Sequence, residues 1–534
     1  MKVRLHKEVI IEPLLWRWHA WGLLVVPHTA ALFLYKKLIP QLESFCRMPE
    51  LHRKALDENE LSGSSFVDLP VEKASEVSEL LHKQLQNCSE LKNLFQDIEA
   101  LNKILINESN GSSLNKFYGK TPSSLKGCVE FFYDWLDSPQ IRYIEPLLYE
   151  LFDLEPYQEL AISRPQVETR PFLLGTPRIG SEHLFLKVPF RNKGIDLLAR
   201  SRTEAIDFEI LCKELELQTE QIKQFREYFL QSDESSTCLP PSKELKVTYY
   251  GHACVLLENK GQAILIDPLV AYGHKSVTTK KDLTNIPDSI DYVLISHAHQ
   301  DHLVIETLLQ LRHKIGTIVL PRSQRGSTFD PCMKLMLEKI GFENVIYLDE
   351  FESIKNSAFK ITSLPFFGEH ADLMITSKAS FLVEASDKKF LFAADSNNLS
   401  PELYKHLQKK YGNIETVFLG MECEGAPGSW LYGPLQAKQL PQELDQQRRL
   451  DGSNAEKASK LVDALGAKQV YVYAMGMEPW LSFMTGLSSG QETPQIKQSN
   501  LFESICLNKG IACERLYGSC EIAVKQDDYG EMII

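Results

Sequence analysis

Residues 292–302 read YVLISHAHQDH, an apolar run followed by four side chains that can bind metal ions. The apolar half predicts a buried strand. His297 and His299 are two residues apart, so on extended backbone they face the same side. Asp301 and His302 lie further round the turn and can serve a second ion. Imidazole and carboxylate groups both bind divalent first-row metals, so this stretch predicts a site for two metal ions.

Short strands and helical stretches alternate on both sides of this motif from Glu244 onwards. The predicted strands are Lys246–Tyr250, Ala253–Glu258, Ala263–Ile266, Thr317–Leu320, Val345–Leu348, Phe359–Leu364, Ser380–Val383, Phe390–Ala394, Thr416–Leu419 and Val470–Tyr473. The predicted helices are Ile305–Lys314, Pro331–Ile340 and Ala455–Ala464. Strands interleaved with helices predict a layered α/β fold.

The first 240 residues have a different pattern. Helical periodicity recurs in Val71–Leu105 and Thr203–Leu230, and we find neither metal-ligand spacing nor a nucleotide-binding loop there. The polar stretch Ser232–Lys243 contains paired prolines and predicts a linker. The sequence therefore predicts two domains, 1–240 and 241–534.

Composition narrows the functional classes. The chain has 534 residues, with 58 basic against 71 acidic side chains and a net charge of −13, which argues against a nucleic-acid-binding surface. Eleven scattered cysteines without a C-x-x-C pair favour reduced thiols and a cytoplasmic protein. The apolar segment Trp16–Tyr35 is interrupted by Arg17 and Pro27, so it predicts a buried element rather than a signal peptide or a membrane span.

The metal motif resembles the HxHxDH motif of the metallo-β-lactamase superfamily, and the stretches Thr248–Ala253 and Ile264–Pro268 resemble its opening strands. The resemblance covers roughly residues 244–534. It implies an αβ/βα sandwich with the metal site at one edge of two sheets, preceded here by a large, mainly helical or mixed N-terminal domain. It further implies that Asp267 orients metal-binding histidines and that Asp395 bridges the two metals.

One further ligand is expected near residue 369, and the sequence offers two adjacent candidates, Glu369 and His370. Adjacent residues on extended backbone point to opposite sides, so we expect only one of them to bind metal. With His370 the site has four histidines and two aspartates, which is typical of a zinc hydrolase. With Glu369 it has three histidines and three carboxylates, and these harder ligands favour iron or manganese.

The whole chain resembles one branch of the superfamily, the diiron amino-acid β-hydroxylases of nonribosomal peptide biosynthesis. Its length and its large N-terminal domain are similar to those of that branch. The stretches that carry the resemblance are Glu12–Trp21, Phe367–Leu373, Met421–Pro427 and Trp430–Pro434. In this branch a glutamate replaces the usual histidine ligand, at the position of Glu369.

The resemblance implies a ligand set for two irons. The first iron would be bound by His297, His299 and Glu369. The second iron would be bound by Asp301 and His302, with Asp395 as the bridge. Glu422 is expected either to approach the site, as an extra ligand or a neighbouring acid, or to be a structural carboxylate. A carboxylate can change its binding mode to open a coordination position, so Glu369 would suit O2 activation.

The resemblance also implies a reaction and its partners. O2 would supply one oxygen atom to the β-carbon of an aminoacyl group tethered to a carrier domain of a peptide synthetase. Because the sequence has no flavin, haem or iron–sulfur motif, a separate reductase would supply two electrons. The N-terminal domain would serve homodimerisation and shape the substrate channel. Phe366, Trp430 and Tyr432 would line the pocket, with core packing as the equal alternative.

Two other functions remain open at this stage. A zinc or manganese hydrolase of esters, thioesters, lactones or phosphodiesters would use His370 as a ligand and need no reductant. A non-catalytic scaffold would not need the six expected ligands, all of which are present. Basic side chains that could face an acidic carrier domain are available, although solvated surface charge is the favoured explanation for each of them: Arg322, Arg325, Lys334, Arg448 and Arg449.

Overall fold

Two sheets of seven strands each pack face to face in the part of the chain from residue 246 to residue 522. The computed structural model describes residues 1–58, 66–234, 239–274, 281–486 and 492–523. The first sheet contains, in spatial order, Val345–Tyr347, Ile315–Leu320, Ile290–Leu294, Gln262–Ile266, Cys254–Asn259, Lys246–Gly251 and Cys520–Ile522. The second contains Ser353–Lys355, Lys360–Leu364, Ser380–Ala385, Lys388–Phe392, Thr416–Gly420, Gln469–Tyr473 and Ala512–Arg515.

Helices cover the outer face of each sheet. Apolar residues between the two sheets form one core, and a separate core joins the second sheet to its helices. The helices of this half are Ile305–Leu311, Met333–Lys339, Pro401–Tyr411, Gly428–Tyr432, Gln442–Gln447, Ala455–Leu465, Ser482–Thr485 and Pro494–Asn508. The predicted αβ/βα sandwich is therefore confirmed.

The N-terminal region is mixed α and β. Its strands are Lys2–Leu5, Ile10–Leu15, Trp18–His19, Val129–Tyr133, Pro139–Tyr143, Gln158–Ser163, Leu184–Leu186, Ile206–Asp207 and Phe229–Gln231. Its helices are Pro27–Phe33, Ile39–Arg47, Pro49–Leu56, Ala74–Asn87, Ser89–Glu108, Asn115–Tyr118, Glu145–Leu151, Gly194–Arg200, Phe208–Glu214 and Thr219–Arg226. The predicted helical stretch Val71–Leu105 is interrupted at Cys88, where one helix ends and the next begins.

One hydrophobic core joins the N-terminal region to the outer face of the first sheet. The segment predicted as a buried element, Trp16–Tyr35, lies in this core and includes the helix Pro27–Phe33. A Cβ atom on Gly22 would lie 3.6 Å from the carbonyl oxygen of Ala298, so this segment passes directly over the metal motif. The N-terminal region is thus part of the wall of the site.

Two sequence expectations concern topology and cysteine chemistry. In the described ranges, the helices are all too short or too polar to span a bilayer. The ten cysteines whose positions are described form no disulfide with one another. Cys238, within the predicted linker, lies outside the described residues.

Candidate metal centre

The metal motif occupies the loop between the strand Ile290–Leu294 and the helix that begins at Ile305. Asp267, at the end of the neighbouring strand, accepts hydrogen bonds from the backbone N–H of Ser296 at 2.7 Å and from its hydroxyl at 2.6 Å. Its Oδ2 also lies 2.9 Å from Nδ1 of His302. This buried carboxylate therefore fixes both the start of the loop and the ring of His302.

The first group of potential ligands comprises His297, His299 and Glu369, whose donor atoms lie within 4.8 Å of one another. Nδ1 of His299 is 2.6 Å from Oε1 of Glu369, and Nε2 of His297 is 3.8 Å from Oε2 of the same carboxylate. All three side chains are buried. Two nitrogen donors and one carboxylate thus converge from segments about 70 residues apart in the sequence.

The second group comprises Asp301, His302 and His252. Nε2 of His252 lies 3.2 Å from Oδ2 of Asp301. Sequence reasoning did not single out His252 as a site residue, because one histidine after a strand has no ligand spacing of its own. The available signal was its place directly after Gly251, where the strand Lys246–Gly251 ends beside the metal loop.

Asp395 lies between the two groups. Its Oδ2 is 2.9 Å from Nε2 of His302 and 3.9 Å from Nε2 of His297. A Cβ atom on Gly420 would lie only 2.6 Å from Oδ1 of Asp395, so glycine is needed there to leave room for the carboxylate. One carboxylate oxygen of Asp395 therefore lies within 4 Å of a histidine of each group.

Glu369 and His370 both face the centre, and the reason is the backbone conformation. Glu369 has a φ of 66°, in the left-handed region, so the segment is not extended and the rule of alternating sides does not apply. Glu369 belongs to the first ligand group, whereas the ring of His370 stacks on His299 at 4.6 Å. Nδ1 of His370 lies 2.7 Å from Oε2 of Glu369.

Glu422 is half-buried, and it is near enough to the acids of the centre for their charges to act on its carboxyl group. Burial, followed by the charges of Asp395, Asp301 and Glu369, raises the pKa of Glu422 well above its ordinary value. A protonated carboxyl group, or one that binds a cation, relieves this repulsion. Glu422 is therefore a carboxyl group that senses the charge of the centre.

The donor atoms fit two divalent metal ions. Nε2 of His297 and Oδ1 of Asp395 are buried without a hydrogen-bond partner among the described residues. The ion pairs of Asp301, Glu369 and Asp395 all go to histidines. Because the described ion pairs of these buried carboxylates include no Arg or Lys, bound metal ions would supply the missing positive charge.

The three aromatic residues predicted for the pocket have different surroundings. Phe366 is buried with its ring edge-on to His297, at 5.5 Å between centroids. Tyr432 is buried, and its hydroxyl is 2.7 Å from Nε2 of His299. Trp430 is half-buried. Phe366 and Tyr432 therefore contact the predicted ligands themselves.

The predicted basic side chains are mostly engaged within the chain. Arg448 and Arg449 donate to the backbone carbonyl groups of Ala371 and Gly425, and so fix loops around the centre. Arg322 and Lys334 pair with acidic neighbours on the surface, Asp349 and Glu338.

The fold and the two-metal geometry define a metalloenzyme of the β-lactamase superfamily, and residues 246–446 match the model of a beta-lactamase superfamily domain. Residues 4–232 match a second model, the diiron non-heme beta-hydroxylase N-terminal domain. The chain belongs to the diiron β-hydroxylase family and is a non-haem diiron oxygenase. Both the resemblance seen in the sequence and the diiron cofactor are thereby confirmed.

The relatives support this identification over nearly the whole chain. The 4-amino-L-phenylalanyl-[CmlP-peptidyl-carrier-protein] 3-hydroxylase of Streptomyces venezuelae is 33% identical over 527 residues, which cover 97% of this chain and 99% of that protein. The crystal structure of CmlA, a diiron beta-hydroxylase from the same organism, superposes with a TM-score of 0.91 at 32% identity, covering 98% of this chain and 100% of the other. A metal-dependent hydrolase of Bacillus thuringiensis is 26% identical but covers only 27% of this chain and 63% of its own length.

Proposed function

We propose that the chain hydroxylates the β-carbon of an aminoacyl group held as a thioester on a carrier domain of a peptide synthetase. The relative from Streptomyces venezuelae is named for this kind of carrier-bound substrate, and the likeness to it extends from end to end. Glu369 is the observation that carries the proposal, because it places a carboxylate where a hydrolytic site has a histidine.

The ligand assignment is part of the proposal. His297, His299 and Glu369 would hold one iron, Asp301 and His302 would hold the other, and Asp395 would be shared between them. Asp267 orients His302, and His252 supports Asp301 from the opposite side. Glu422 would be either a further ligand or an acid next to the centre.

The chain's own groups have distinct tasks in this reaction. Iron held at this site would supply O2 reduction with two external electrons and two protons, so that one oxygen atom enters a C–H bond and the other leaves as water. The carboxylate of Glu369 could bind a metal ion through one of its oxygen atoms or through both, whereas a histidine would bind through a single nitrogen. Phe366 closes the apolar side of the centre, and the segment around Gly22 covers the loop, so both exclude water from it.

Partners follow from the same reasoning. Hydroxylation with O2 consumes two external electrons, so a separate reductase serves the enzyme. The N-terminal region shapes the channel for the tethered substrate and forms a homodimer contact, and the enzyme works in the cytoplasm. The division into an N-terminal domain of residues 1–240 and a catalytic domain of residues 241–534 agrees with the separate model matches to 4–232 and 246–446.

The test is O2 uptake by the iron-loaded protein with an aminoacyl group loaded on a carrier domain and a chemical reductant. We expect O2 consumption and a product heavier by one oxygen atom, only when the substrate is carrier-bound. Hydrolysis of the thioester without reductant and without O2 uptake would instead support the hydrolase alternative.

A further inference from the structure

Tyr432 makes a direct hydrogen bond to a proposed iron ligand. Its hydroxyl lies 2.7 Å from Nε2 of His299, while Nδ1 of the same ring lies 2.6 Å from Glu369. If Nδ1 binds metal, the proton of the neutral ring is on Nε2, and that N–H donates to the tyrosine oxygen. The hydroxyl therefore fixes both the tautomer and the orientation of His299.

The N-terminal region holds the element that carries Tyr432. This tyrosine ends the helix Gly428–Tyr432, and the amino group of Lys37 donates to the carbonyl of Trp430 in that helix at 2.7 Å. Lys36 donates to the carbonyl of Gln436, just beyond it, at 3.0 Å. The last carbonyl groups of a helix have no partner within it, and lysines commonly satisfy them.

The two lysines lie in an irregular helical segment. Leu34–Leu38 forms a π-helical segment between the helices Pro27–Phe33 and Ile39–Arg47. Such wide turns change which side chains face a neighbour, and they are frequent at functional sites. Lys37 is half-buried, and burial lowers its pKa to about 8; its hydrogen bond to the carbonyl of Trp430 replaces part of its lost hydration.

We propose that Tyr432 is a positioning residue for His299 and that Lys37 of the N-terminal region keeps it in place. This inference rests on the proposed ligand role of His299. It gives the N-terminal region a task at the first iron subsite, His297–His299–Glu369, in addition to any contact with substrate.

The first test is Tyr432→Phe in the full-length protein, with Tyr228→Phe as the matched control. Tyr228 also has a buried hydroxyl, which donates to the carbonyl of Ile162 at 3.1 Å in the N-terminal region. We expect Tyr432→Phe to lower the affinity for one of the two Fe(II) ions about 10–100-fold in chelator competition. Loss of a residue that hydrogen-bonds to a metal ligand commonly has an effect of this size. The visible spectrum of the Co(II)-loaded protein should change, and the control should behave like the wild type.

The outcomes separate the two proposals. Wild-type protein that binds no Fe(II) or Co(II) would overturn the proposed ligand set. Wild type that binds two ions, together with Tyr432→Phe that binds both with unchanged affinity and spectrum, would overturn only the positioning role. Equal loss of both ions would also overturn it, because His299 belongs to one subsite.

The second test is Lys37→Met, with Lys73→Met as the control. Methionine keeps the apolar stem of Lys37, whereas Lys73 pairs with Glu76 on the surface. We expect the affinity for the same Fe(II) ion to fall by about 3–10-fold, which is a part of the Tyr432→Phe effect. In the double variant Lys37→Met/Tyr432→Phe the effects should not add, because both act through one hydroxyl. Full additivity would show that Lys37 does not act through Tyr432.

Discussion

Among the described residues, histidine and carboxylate side chains are grouped in two buried regions, a cluster that contains Glu12 and the proposed iron centre. In the first, Glu12, His19 and Glu306 bring donor atoms within 4.8 Å, as the proposed iron ligands do. There, however, Arg178 makes a paired contact with Glu12, at 2.8 and 2.9 Å, and Arg170 binds Glu306 at 2.8 Å.

The difference lies in the source of positive charge. Burial raises the pKa of Glu12, but Arg178 and Arg170 outweigh it and hold that pKa well below its ordinary value. The carboxylates of the metal centre pair only with histidines among the described contacts. Donor atoms alone therefore do not identify a metal site; the charge that compensates them does.

Asp395→Ala is expected to have the largest effect of the substitutions considered for the iron centre. Removing the proposed bridging carboxylate should abolish binding of at least one iron and reduce hydroxylation by more than about 100-fold. This effect exceeds the usual effect of removing a residue that only hydrogen-bonds to a metal ligand. The cluster of Glu12 and Glu306 with Arg170 and Arg178, here called the arginine cluster, should be unaffected. The far-UV circular dichroism spectrum should therefore match that of the wild type. Metal analysis and product formation measure the two effects, and retention of two irons with normal turnover would contradict the account.

Glu369→His tests the chemical character of the first subsite. Histidine can still bind metal, so we expect two metal ions to remain, while O2-dependent hydroxylation falls by about 100-fold because the shifting carboxylate is lost. The control is His370→Asn, which removes the neighbouring ring and should leave two irons bound. Full activity of Glu369→His would show that the carboxylate is dispensable.

Arg178→Met tests the other cluster. It leaves Glu12 buried without its paired contact, which should lower the free energy of unfolding by about 3–5 kcal/mol. Denaturant titration measures this loss. The iron content of the folded fraction should stay at two, and a selective loss of iron with unchanged stability would mean that the two clusters have been assigned the wrong roles.

His252→Asn is the smallest perturbation. Loss of the contact with Asp301 should lower the affinity for the second iron about 10-fold. This is the lower end of the range for a residue that contacts a metal ligand. The first iron should keep its affinity, as chelator competition at each site can show. A loss above 1,000-fold would instead make His252 a direct ligand.

Much of the fold could be predicted from the sequence, since period-two and period-3.6 patterns depend on local burial. The site was predictable where its ligands are contiguous, as in His297–His302. The role of Glu369 could not be derived from alternation, because the backbone leaves the extended region there. Tyr432 and His299 are 133 residues apart, and no local pattern records such a contact.

Anomalous scattering at the iron edge, from crystals of the iron-loaded protein, would locate the two proposed irons. We predict two peaks, one next to His297, His299 and Glu369 and one next to Asp301 and His302, with Asp395 between them. We predict none at Glu12 and Glu306. A peak bound by His370 in place of Glu369, or iron in the arginine cluster, would contradict the account.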